Sequence, residues 1–465
     1  MRRHTSVLVI GGGPAGSTAA ALLARQGAEV TLLERDHFPR YHVGESLLPS
    51  LLPLLDVLGA RETVEAHGFV RKTGAYYGWG GQEWSLGFDE PGRPAAYSFQ
   101  VIRSEFDHLL LTHARNQGAD VREGVRVRRI VFEDGRPTAV LWSDEDGRQG
   151  HLTCEQLIDA SGRAGMAARQ LRDRRFHDVF RNVAAWGYWR HAKPLPGPPG
   201  AIGVFSLPRH GWLWAIPLHD HTLSVGLVTD KTSFNTARRT RGSTHAVYHQ
   251  ALARQPLLSA ILDQAHLDTA LTVEGDYSYT SRTFCGPGYF LTGDAACFLD
   301  PLLSTGVHLA MYSATLTAAA LTGILAGDID EEHARHFYQT AYRHAYERLL
   351  ILVSAFYRIH DGRDSYFRTA QALTHRDQQG LRLHESFLNI ITGTDDLHDS
   401  RHNLLDHLHT TLSQPRPGHS DHGLGGHSTS DLLPLPTRPD QPTAGLYLDL
   451  HPHPRLRHAP DPREG

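Results

Sequence analysis

The segment Gly293–Gly306 (GDAACFLDPLLSTG) carries residue types that suit the binding of a nucleotide and of an anion. It follows an apolar stretch that predicts a strand, and the run Val307–Leu325 after it predicts a helix. The carboxylate of Asp294 can accept hydrogen bonds from the hydroxyls of a sugar-phosphate chain. Thr305 and Gly306 lie at the predicted helix N-terminus, whose free N–H groups and dipole favour an anion or an electron-rich ring edge. Taken alone, a strand–Gly-Asp–helix segment is more often simple packing, so its function depends on the rest of the chain.

A second motif, near the N-terminus, has the spacing of a dinucleotide-binding unit. Its glycines, Gly11, Gly13 and Gly16 in GGGPAG, follow the G-x-G-x-x-G pattern. Glycines at this spacing let the backbone approach a pyrophosphate at a helix N-terminus, and Glu34, about twenty residues later, would bind ribose hydroxyls. The complete unit predicts a dinucleotide-binding site. Its flanking strand, helix and second strand are predicted at Ser6–Ile10, Ser17–Gln26 and Glu29–Leu33.

Two further segments return the chain to the same predicted sheet. Leu157–Gly162 (LIDASG) is an apolar strand that ends in a turn of small residues, and Val101–Leu110 (VIRSEFDHLL) places Arg103 between a strand and a helix. From there Arg103 could reach the first nucleotide or form a salt bridge in the first helical turn, and the sequence favours neither. Because the chain has one fingerprint of this kind, it offers no second site built for NAD(P)H.

Two other stretches carry residue types that could take part in chemistry, although each has a structural alternative. Lys72 lies in FVRKTGAYYGWG, just before a predicted strand, where a lysine is usually a solvated surface charge. In Gly211–Pro217 (GWLWAIP), the strand period of two places both tryptophans on one face, where they are usually core. The residues of that face are Trp212, Trp214 and Ile216.

The elements between these motifs predict a substrate domain of antiparallel strands inserted in the nucleotide-binding fold. We therefore predict one domain at 1–325 with an interleaved sheet at about 65–102 and 175–285, a helical region at 326–413, and a Pro/His-rich disordered tail at 414–465. Amphipathic periodicity predicts helices at Ala246–Gln264 and Glu331–His360. Aromatic-rich alternation predicts strands at Thr73–Gly80, Glu83–Gly87, Ala96–Ile102, Ala184–Arg190, Gly203–Leu207, Gly211–Pro217 and Leu223–Val228.

Composition and charge limit the partners of the chain. Its 465 residues, 40% of them hydrophobic, can bury a large core. A formal net charge of -4 and a pI near 6.8 indicate neither a nucleic-acid nor an acidic-membrane partner. Cys154, Cys285 and Cys297 lack the spacing of a metal site, and we interpret Cys297 as a small buried hydrophobe. This spacing predicts no bound metal. No signal-peptide pattern and no uncharged apolar run of membrane-spanning length is recognised, so we predict a cytoplasmic protein.

From Ser6 to Leu325, the order of these motifs resembles the FAD-binding domains of the p-hydroxybenzoate hydroxylase type. In that family, excursions from a Rossmann-like sheet build the substrate domain. The resemblance implies an α/β fold with an inserted antiparallel sheet and C-terminal helices, and FAD as the dinucleotide. The implied FAD-binding residues are Gly11, Gly13, Ala15, Gly16, Glu34, Arg40, Ser46, Arg103, Asp294 and Val307.

Lys72 and GWLWAIP together resemble flavin-dependent halogenases, whose GWxWxIP pattern the chain matches at every fixed position. The stretches RYHVGESLLP (Arg40–Pro49) and FLDPLLSTGVHLA (Phe298–Ala310) are also similar to that family. The agreement extends through Asp364–Phe367 to about Thr392. It covers most of the chain apart from the tail.

This resemblance implies a mechanism and a role for each motif. FADH2 and O2 form a flavin hydroperoxide, and a chloride or bromide ion attacks it to give hypohalous acid. Thr305 and Gly306 match the halide site, and the Trp212, Trp214 and Ile216 face matches a tunnel wall that keeps the substrate from the peroxide. Lys72 would hydrogen-bond the hypohalous acid or form an N-haloamine, and so direct the halogen to an electron-rich aromatic carbon.

The chain departs from tryptophan-type halogenases at two points. That subgroup carries a glutamate immediately before the serine of the Ser-Thr-Gly turn, where this chain has Leu303, and it has a larger C-terminal helical cap. Both departures favour the phenol- and pyrrole-type branch, in which the hydroxyl or nitrogen of the substrate activates its ring. Several members of that branch act in natural-product biosynthesis on groups tethered to a carrier protein. The HVGES, FLDPLLSTGVHLA and DSYF stretches resemble those members.

The same residues also allow other interpretations. Asp300 matches a position that carries a covalent flavin ester in some relatives, although a carboxylate that caps the following turn is the more frequent role. The lack of a nicotinamide site implies that a separate flavin reductase supplies FADH2. A flavin monooxygenase or a flavin reductase of isoprenoid chains would share the nucleotide motifs but would not require Lys72 or GWLWAIP. A non-catalytic flavoprotein is the third alternative.

Overall fold

A computed structural model describes residues 3–88, 96–207, 211–358, 394–401 and 446–458. The helices in these ranges are α1 Pro14–Arg25, α2 Leu51–Leu58, α3 Arg61–Ala66, α4 Arg103–Asn116, α5 Met166–Gln170, α6 Lys231–Arg241, α7 Thr244–Ala253, α8 Pro256–Ile261, α9 Gly306–Ala326, α10 Glu331–Arg358 and α11 Thr394–Arg401. Short turns of 3-10 helix lie at Gly162–Ala164, Gly293–Ala295 and Pro301–Leu303.

The strands in these ranges are β1 His4–Ile10, β2 Val30–Leu33, β3 Val70–Lys72, β4 Gly74–Trp79, β5 Gln82–Gly87, β6 Ser98–Gln100, β7 Asp120–Arg122, β8 Val125–Glu133, β9 Arg136–Asp144, β10 Gln149–Asp159, β11 Arg174–Arg190, β12 Ile202–Ser206, β13 Gly211–Pro217, β14 Thr222–Asp230, β15 His266–Leu267, β16 Thr272–Ser281, β17 Cys285–Gly286, β18 Tyr289–Leu291, β19 Cys297–Phe298, β20 Leu446–Asp449 and β21 Arg455–His458.

The first sheet carries the N-terminal glycine motif. Its parallel strands run in the order β7–β2–β1–β10–β18, with Val9 opposite Leu32 on one side and Ile158 on the other. Strands β8 and β9 continue antiparallel from β10, and β17 pairs antiparallel with β18. All three of these paired residues are fully buried, as expected for a parallel sheet that is covered on both faces. The predicted α/β class is confirmed.

The turn between β1 and α1 depends on two glycines. Gly11 has a φ of +103°, and a Cβ there would lie 2.4 Å from the carbonyl oxygen of Ala160. A Cβ at Gly16 would lie 1.9 Å from the carbonyl oxygen of Gly11. Pro14 begins α1, where a missing N–H is tolerated, and no side chain caps this helix. Only glycine therefore permits the close approach of the turn to β10.

The second sheet has nine strands, in the order β19–β16–β11–β14–β13–β12–β4–β5, with β15 paired to β11. Its neighbouring strands are antiparallel except for the parallel pair β12 and β4. Apart from β19 and the first residue of β11, these strands lie in the ranges predicted for the substrate sheet. The inserted antiparallel sheet of the predicted fold is confirmed.

Strand β13 separates two hydrophobic cores by the alternation of its side chains. Trp212, Trp214 and Ile216 pack in the larger core, whereas Leu213 and Ala215 pack in a smaller one. The period of two predicted this division. The smaller core also holds side chains of three helices, namely Phe234 of α6, Tyr248 of α7 and Leu258 of α8.

The structure differs from the local predictions at three points. The single helix predicted at Ala246–Gln264 is two helices, because α7 ends before Pro256 begins α8. Helix α6 was not predicted, and the carboxylate of Asp230 caps it by accepting a hydrogen bond from the amide of Ser233 at 2.8 Å. The strand predicted at Ala96–Ile102 is only the short β6, which pairs with β3 in a separate two-stranded sheet.

Helix α9 is apolar and mostly buried. Its 21 residues include no Asp, Glu, Lys or Arg, so the prediction that no uncharged apolar run reaches a membrane-spanning length is wrong. Of the described helices it alone has this length and hydropathy, and 78% of its most apolar window is buried inside the protein. Helices α1 and α10 pack against it. These contacts are those of a core helix.

Strands β20 and β21 form a hairpin within the predicted disordered tail. Leu446, Leu448, Leu450 and Leu456 are each at most 5% exposed, and β21 packs against α9 while β20 packs against α11. The prediction of disorder for 414–465 is therefore wrong for 446–458, because alternating leucines bury this segment despite its prolines. The other tail residues, and the stretch from Asp364 to Thr392, lie outside the described residues.

Candidate active site

A cleft of about 1080 Å³ is lined by residues of both sheets and of the loops that connect them. It joins the β1–α1 turn, the loop at 40–46, strand β13 and the N-terminus of α9. Gly16 packs against Gly11 rather than lining the cleft, and Lys72 lies behind Ser46. The predicted site residues that line it are Gly11, Gly13, Ala15, Glu34, Arg40, Ser46, Arg103, Trp212, Trp214, Ile216, Asp294, Thr305, Gly306 and Val307.

Positive charge predominates along the cleft. The excess of guanidinium groups over carboxylates, together with the uncapped N-terminus of α1, suits a pyrophosphate. The arginines are Arg35, Arg40, Arg103, Arg126, Arg128, Arg163 and Arg169, and the acids are Glu34, Asp36, Glu45, Glu274 and Asp294.

Glu34 holds the backbone around the glycine motif. Its Oε2 accepts a hydrogen bond from the amide of Gly12 at 2.6 Å, and its Oε1 accepts one from the amide of Asp36 at 2.9 Å. A carboxylate oxygen has two lone pairs, so each oxygen can accept a second hydrogen bond from the cleft. The predicted ribose contact is compatible with this geometry.

Arg103 forms the salt bridge that the sequence left as one of two roles. Its Nε and Nη2 donate to the carboxylate of Asp107 at 2.8 and 3.0 Å. Its Nη1 donates to the carbonyl oxygens of Val43 at 2.9 Å and Gly44 at 3.2 Å. The guanidinium therefore fixes the 40–46 loop, and it also lines the cleft. Its contact with a nucleotide stays a prediction.

Asp294 lines the cleft at the 3-10 turn that follows β18. Burial raises the pKa of its carboxyl to about 6, although Arg163, Arg103 and Arg174 lower it. The carboxyl is consequently charged above about pH 6. In that form it can accept hydrogen bonds from ligand hydroxyls in the cleft.

The N-terminus of α9 presents free amides to the cleft. Thr305 precedes the helix without a side-chain cap, and the amide of Leu309 makes the first bond to its carbonyl oxygen, at 2.9 Å. The amides of Gly306 and the next two residues therefore precede the hydrogen-bonded ladder. A Cβ on Gly306 would meet no atom within 4 Å. This arrangement suits a small anion.

Lys72 ends β3, and its side chain is only 2% exposed. Its Nζ donates to the Oγ of Ser46 at 2.8 Å and to the carbonyl oxygen of Leu47 at 3.0 Å, and it lies 5.6 Å from the centroid of the Phe88 ring. Burial lowers the pKa of the amine to about 7. The alternative of a solvated surface charge is wrong. Because Ser46 lines the cleft, the hydroxyl of Ser46 lies between the amine of Lys72 and the cleft.

The strands around Lys72 explain this position. The amide of Val101 donates to the carbonyl oxygen of Glu45 at 2.7 Å, and the amide of Leu47 donates to Phe99 at 3.0 Å. The 45–47 segment thus pairs with one edge of β6, while β3 pairs with the other and sets Lys72 opposite Ser98. The side chain of Lys72 then reaches back across β6 to Ser46.

The tryptophans of β13 form an aromatic wall of the cleft. The ring centroids of Trp212 and Trp214 lie 6.0 Å apart, and that of Trp186 from β11 lies 6.2 Å from Trp214. The indole Nε1 of Trp214 donates to the Oγ of Ser224 at 3.2 Å. The alternative of plain core is partly correct, since these side chains pack in the larger core and also face the cleft.

Comparison with known proteins decides the family. Residues 4–348 match the FAD binding domain family. A tryptophan 2-halogenase of Chondromyces crocatus is 47% identical over 406 residues, which are 85% of this chain and 77% of that protein. The chain belongs to the flavin-dependent halogenases. A sulochrin halogenase of Aspergillus terreus is 36% identical over 413 residues, covering 81% of this chain and 75% of its own.

Solved structures of halogenases share the fold. The myxobacterial chondrochloren halogenase CndH superposes with a TM-score of 0.74 at 34% identity, over 85% of this chain and 92% of that one. The flavin-dependent halogenase CmlS superposes with a TM-score of 0.71 at 33% identity, over 93% of this chain and 76% of that one. The protein is therefore an oxidoreductase of the halogenase type.

The residues of this halogenase fit FAD. The glycine turn and the open N-terminus of α1 offer amides for a pyrophosphate, and a Cβ on Gly13 would meet only the Nη2 of Arg40, at 3.3 Å. Asp294 lies in the cleft with a carboxylate that can accept from the hydroxyls of a ribityl chain. The family match supports the same cofactor.

Asp300 has the contacts of a turn carboxylate. Its Oδ1 accepts from the amide of Leu302 at 3.1 Å, and its Oδ2 accepts from the Nδ2 of Asn182 at 2.9 Å. The side chain is fully buried. These contacts support the capping role that the sequence weighed against a covalent flavin ester.

Two cleft residues, Glu45 and Tyr41, and the neighbouring Tyr188 were not predicted from the sequence. Glu45, Tyr188 and Tyr41 form a hydrogen-bonded chain beside the tryptophan wall. Glu45 lies inside the HVGES stretch that carried the resemblance, where only Ser46 received a role. An acid between a glycine and a serine in an otherwise apolar stretch is a signal that could have singled it out. The two tyrosines carry no such signal.

Proposed function

We propose that this halogenase uses FADH2, O2 and chloride or bromide to halogenate an electron-rich aromatic carbon, through hypohalous acid directed by Lys72. For chloride the balance is FADH2 + O2 + Cl⁻ + H⁺ + ArH → FAD + ArCl + 2 H2O. The bound flavin supplies the two electrons that, with those of the chloride and the ring, reduce O2 to water. The side chains of the cleft bind and orient the reactants, and they exclude water.

The dry amine of Lys72 is the observation that supports this proposal most directly. In its charged form it has three N–H donors, of which Ser46 and Leu47 take two, so one remains for the oxygen of hypohalous acid. In its neutral form the lone pair is free instead and can take the halogen. A pKa of about 7 makes both forms accessible near neutral pH.

The N-terminus of α9 is the proposed halide site. The amides after Thr305 can hold chloride or bromide against the helix dipole. The Trp212, Trp214 and Ile216 face separates the aromatic substrate from the place where the flavin reacts. No side chain of this wall transfers a proton or forms a covalent bond in the reaction.

The proposed substrate is a phenol or a pyrrole-type ring, free or tethered to a carrier protein, in natural-product biosynthesis. Leu303 leaves no carboxylate before Ser304, so a ring activated by its own hydroxyl or nitrogen is favoured. Tryptophan is a second candidate, because one relative is a tryptophan 2-halogenase and carbon 2 of an indole belongs to its pyrrole ring. We further propose a cytoplasmic location and a separate flavin reductase as the source of FADH2.

Replacement of Lys72 tests the function. With a flavin reductase, NADH, O2 and bromide or chloride, the wild-type protein should halogenate members of a panel of phenols, pyrroles and indoles, which mass spectrometry detects by the isotope pattern. Lys72→Ala should reduce product formation by about a thousandfold or more, because it removes the group that holds the oxidised halogen. FAD binding, followed by absorbance, should be retained.

Exposed lysines provide the matched control. Lys193→Ala should halogenate like the wild type, since this side chain lies on the surface. Hydroxylated rather than halogenated product from the wild-type protein would contradict the proposal and indicate a monooxygenase. Halogenation by Lys72→Ala with unchanged rate and position would contradict the role of the lysine.

A further inference from the structure

A hydrogen-bonded chain leads from an exposed tyrosine to a buried carboxyl in the cleft. The hydroxyls of Tyr41 and Tyr188 lie 3.0 Å apart, and the hydroxyl of Tyr188 donates to the Oε1 of Glu45 at 2.5 Å. Tyr41 is 56% exposed, whereas Glu45 is 2% exposed, and both line the cleft. These hydrogen bonds therefore connect an exposed residue with a carboxyl that is almost fully buried at the cleft.

The hydrogen bonds that link Tyr41, Tyr188 and Glu45 all donate in the same direction. The indole Nε1 of Trp186 donates to the hydroxyl oxygen of Tyr41 at 2.6 Å, so that oxygen is an acceptor there. Tyr188 has one hydroxyl proton, and it donates this proton to Glu45. In the hydrogen bond between the two tyrosines, Tyr41 is therefore the donor. The order of donation is Tyr41 to Tyr188 to Glu45, from solvent inward.

Glu45 lies next to two parts of the proposed machinery, Lys72 and the tryptophan wall. The next residue, Ser46, accepts the hydrogen bond of Lys72. The hydroxyl of Ser224, which accepts from Trp214, faces the carboxyl and lowers its pKa. Among the described residues, the Oε2 of Glu45 is buried without a well-formed hydrogen bond. This oxygen therefore has the capacity to take or give a proton.

Burial raises the pKa of Glu45 above its ordinary value, and the groups around it modulate the rise. Tyr188 of β11, Ser224 of β14 and Arg103 of α4 lower the pKa, and Asp220 of the β13–β14 turn raises it. Both tyrosines have raised pKa values, chiefly through burial. They are therefore neutral and can pass a proton only by accepting one as they donate another.

We propose that Tyr41, Tyr188 and Glu45 form an inward proton relay that supplies the proton consumed by each halogenation. This inference rests on the proposed function, whose balance takes up one proton per turnover. Water protonates the oxygen of Tyr41 as its own proton passes to Tyr188, and the proton of Tyr188 passes to the Oε1 of Glu45. Glu45 then donates a proton to the oxygen that leaves as water, and the hydroxyls rotate back. No residue is oxidised or reduced.

The experiment compares Glu45→Gln, Tyr188→Phe and Tyr41→Phe in the FAD-bound protein. The matched control is Glu83→Gln, because Glu83 accepts a hydrogen bond from Tyr76 at 2.6 Å in the β4–β5 hairpin, away from the cleft. Infrared difference spectra across pH should show a protonated carboxyl that titrates above the usual range of a glutamate. That band should vanish in Glu45→Gln, shift in Tyr188→Phe and persist in Glu83→Gln.

Single-turnover halogenation supplies the kinetic readout. The wild-type rate should fall as pH rises through the titration of Glu45, and it should slow in heavy water. Glu45→Gln and Tyr188→Phe should be about a hundredfold slower at low pH, with the Glu45-dependent part of the pH profile lost. Tyr41→Phe should be slowed less, because water can protonate Tyr188 in its place. Glu45→Asp should recover part of the rate.

The two proposals fail in different ways. Halogenation by Glu45→Gln at the wild-type rate across pH would overturn the relay and leave the halogenase function intact. A missing carboxyl band in the wild type would also overturn it. If the wild-type protein yields no halogenated product with any ring tested while binding FAD, the proposed function is overturned and the relay with it.

Discussion

At the scale of single residues, the burial of one amine sets the chemistry of the cleft. Lys72 is one of three lysines in the chain, and the other two, Lys193 and Lys231, are exposed. Desolvation by β3, β6 and the 45–47 segment lowers the pKa of Lys72 to about 7. The same burial makes the stability of the fold depend on pH.

The stability of the protein should rise with pH above about 7 through Lys72. Between a folded pKa of about 7 and an unfolded one near 10.5, the unfolded chain carries a proton that the folded chain has lost. The free energy of unfolding should gain about 1.4 kcal/mol per pH unit from this residue in that window. Lys72→Met should remove this component, as measured by urea unfolding at several pH values.

Other groups also titrate between about pH 7 and 10.5. The informative quantity is therefore the difference between variant and wild type in the slope of the unfolding free energy against pH. Lys193→Met should keep the wild-type slope because the residue is exposed. An identical slope in Lys72→Met and the wild type would show that the folded protein keeps Lys72 charged.

At the scale of elements, the aromatic wall depends on the strand beside it. Gly226 of β14 pairs with Trp214 of β13, and a Cβ on Gly226 would lie 2.1 Å from the Trp214 ring. The absence of a side chain at this position makes room for the indole. The wall is thus a property of two strands rather than of the GWLWAIP segment alone.

Gly226→Ala should displace Trp214 and weaken the wall. We expect a loss of about 1–3 kcal/mol in stability from overpacking, and less halogenated product per O2 consumed. Melting temperature, tryptophan fluorescence and the product yield measure these effects. The double variant Gly226→Ala with Trp214→Phe should be more stable than Gly226→Ala alone, because the smaller ring relieves the clash. If the second substitution brings no recovery, the contact with Trp214 is not the cause.

At the scale of the whole molecule, the C-terminal hairpin supports the helix that begins at the proposed halide site. Strand β21 packs against α9, and His308 of α9 contacts Asp396 of α11 at 2.8 Å and Ser50 at 2.8 Å. Segments far apart in the chain therefore hold the N-terminal turn of α9. The hairpin is part of the folded core despite its composition.

Removal of the hairpin should destabilise the protein. A chain that ends at Gly445 loses four buried leucines, and we expect a loss of about 2 kcal/mol or more in the free energy of unfolding. Leu448→Ala should cost about 2–5 kcal/mol by itself. A chain that ends at His458 keeps the hairpin and is the control. Equal denaturation midpoints for the two truncated chains would contradict the packing role.

Those parts of this protein that depend on local spacing are predictable from the order of its residues. The G-x-G-x-x-G turn, the alternation of Trp212, Trp214 and Ile216, and the helix that starts at Gly306 each follow from steric rules within a few residues. Together with the order of motifs, they predicted the α/β fold with its inserted sheet, and the family.

Features that depend on contacts between distant segments become visible only in the folded protein. The burial of Lys72 comes from residues 45–47 and β6, the relay joins Glu45 to a tyrosine 143 positions away, and the hairpin at 446–458 is ordered by α9 and α11. Composition described the tail as unable to bury a core because it averages over many residues. Burial and pKa depend on which groups meet in space, and sequence spacing does not record those meetings.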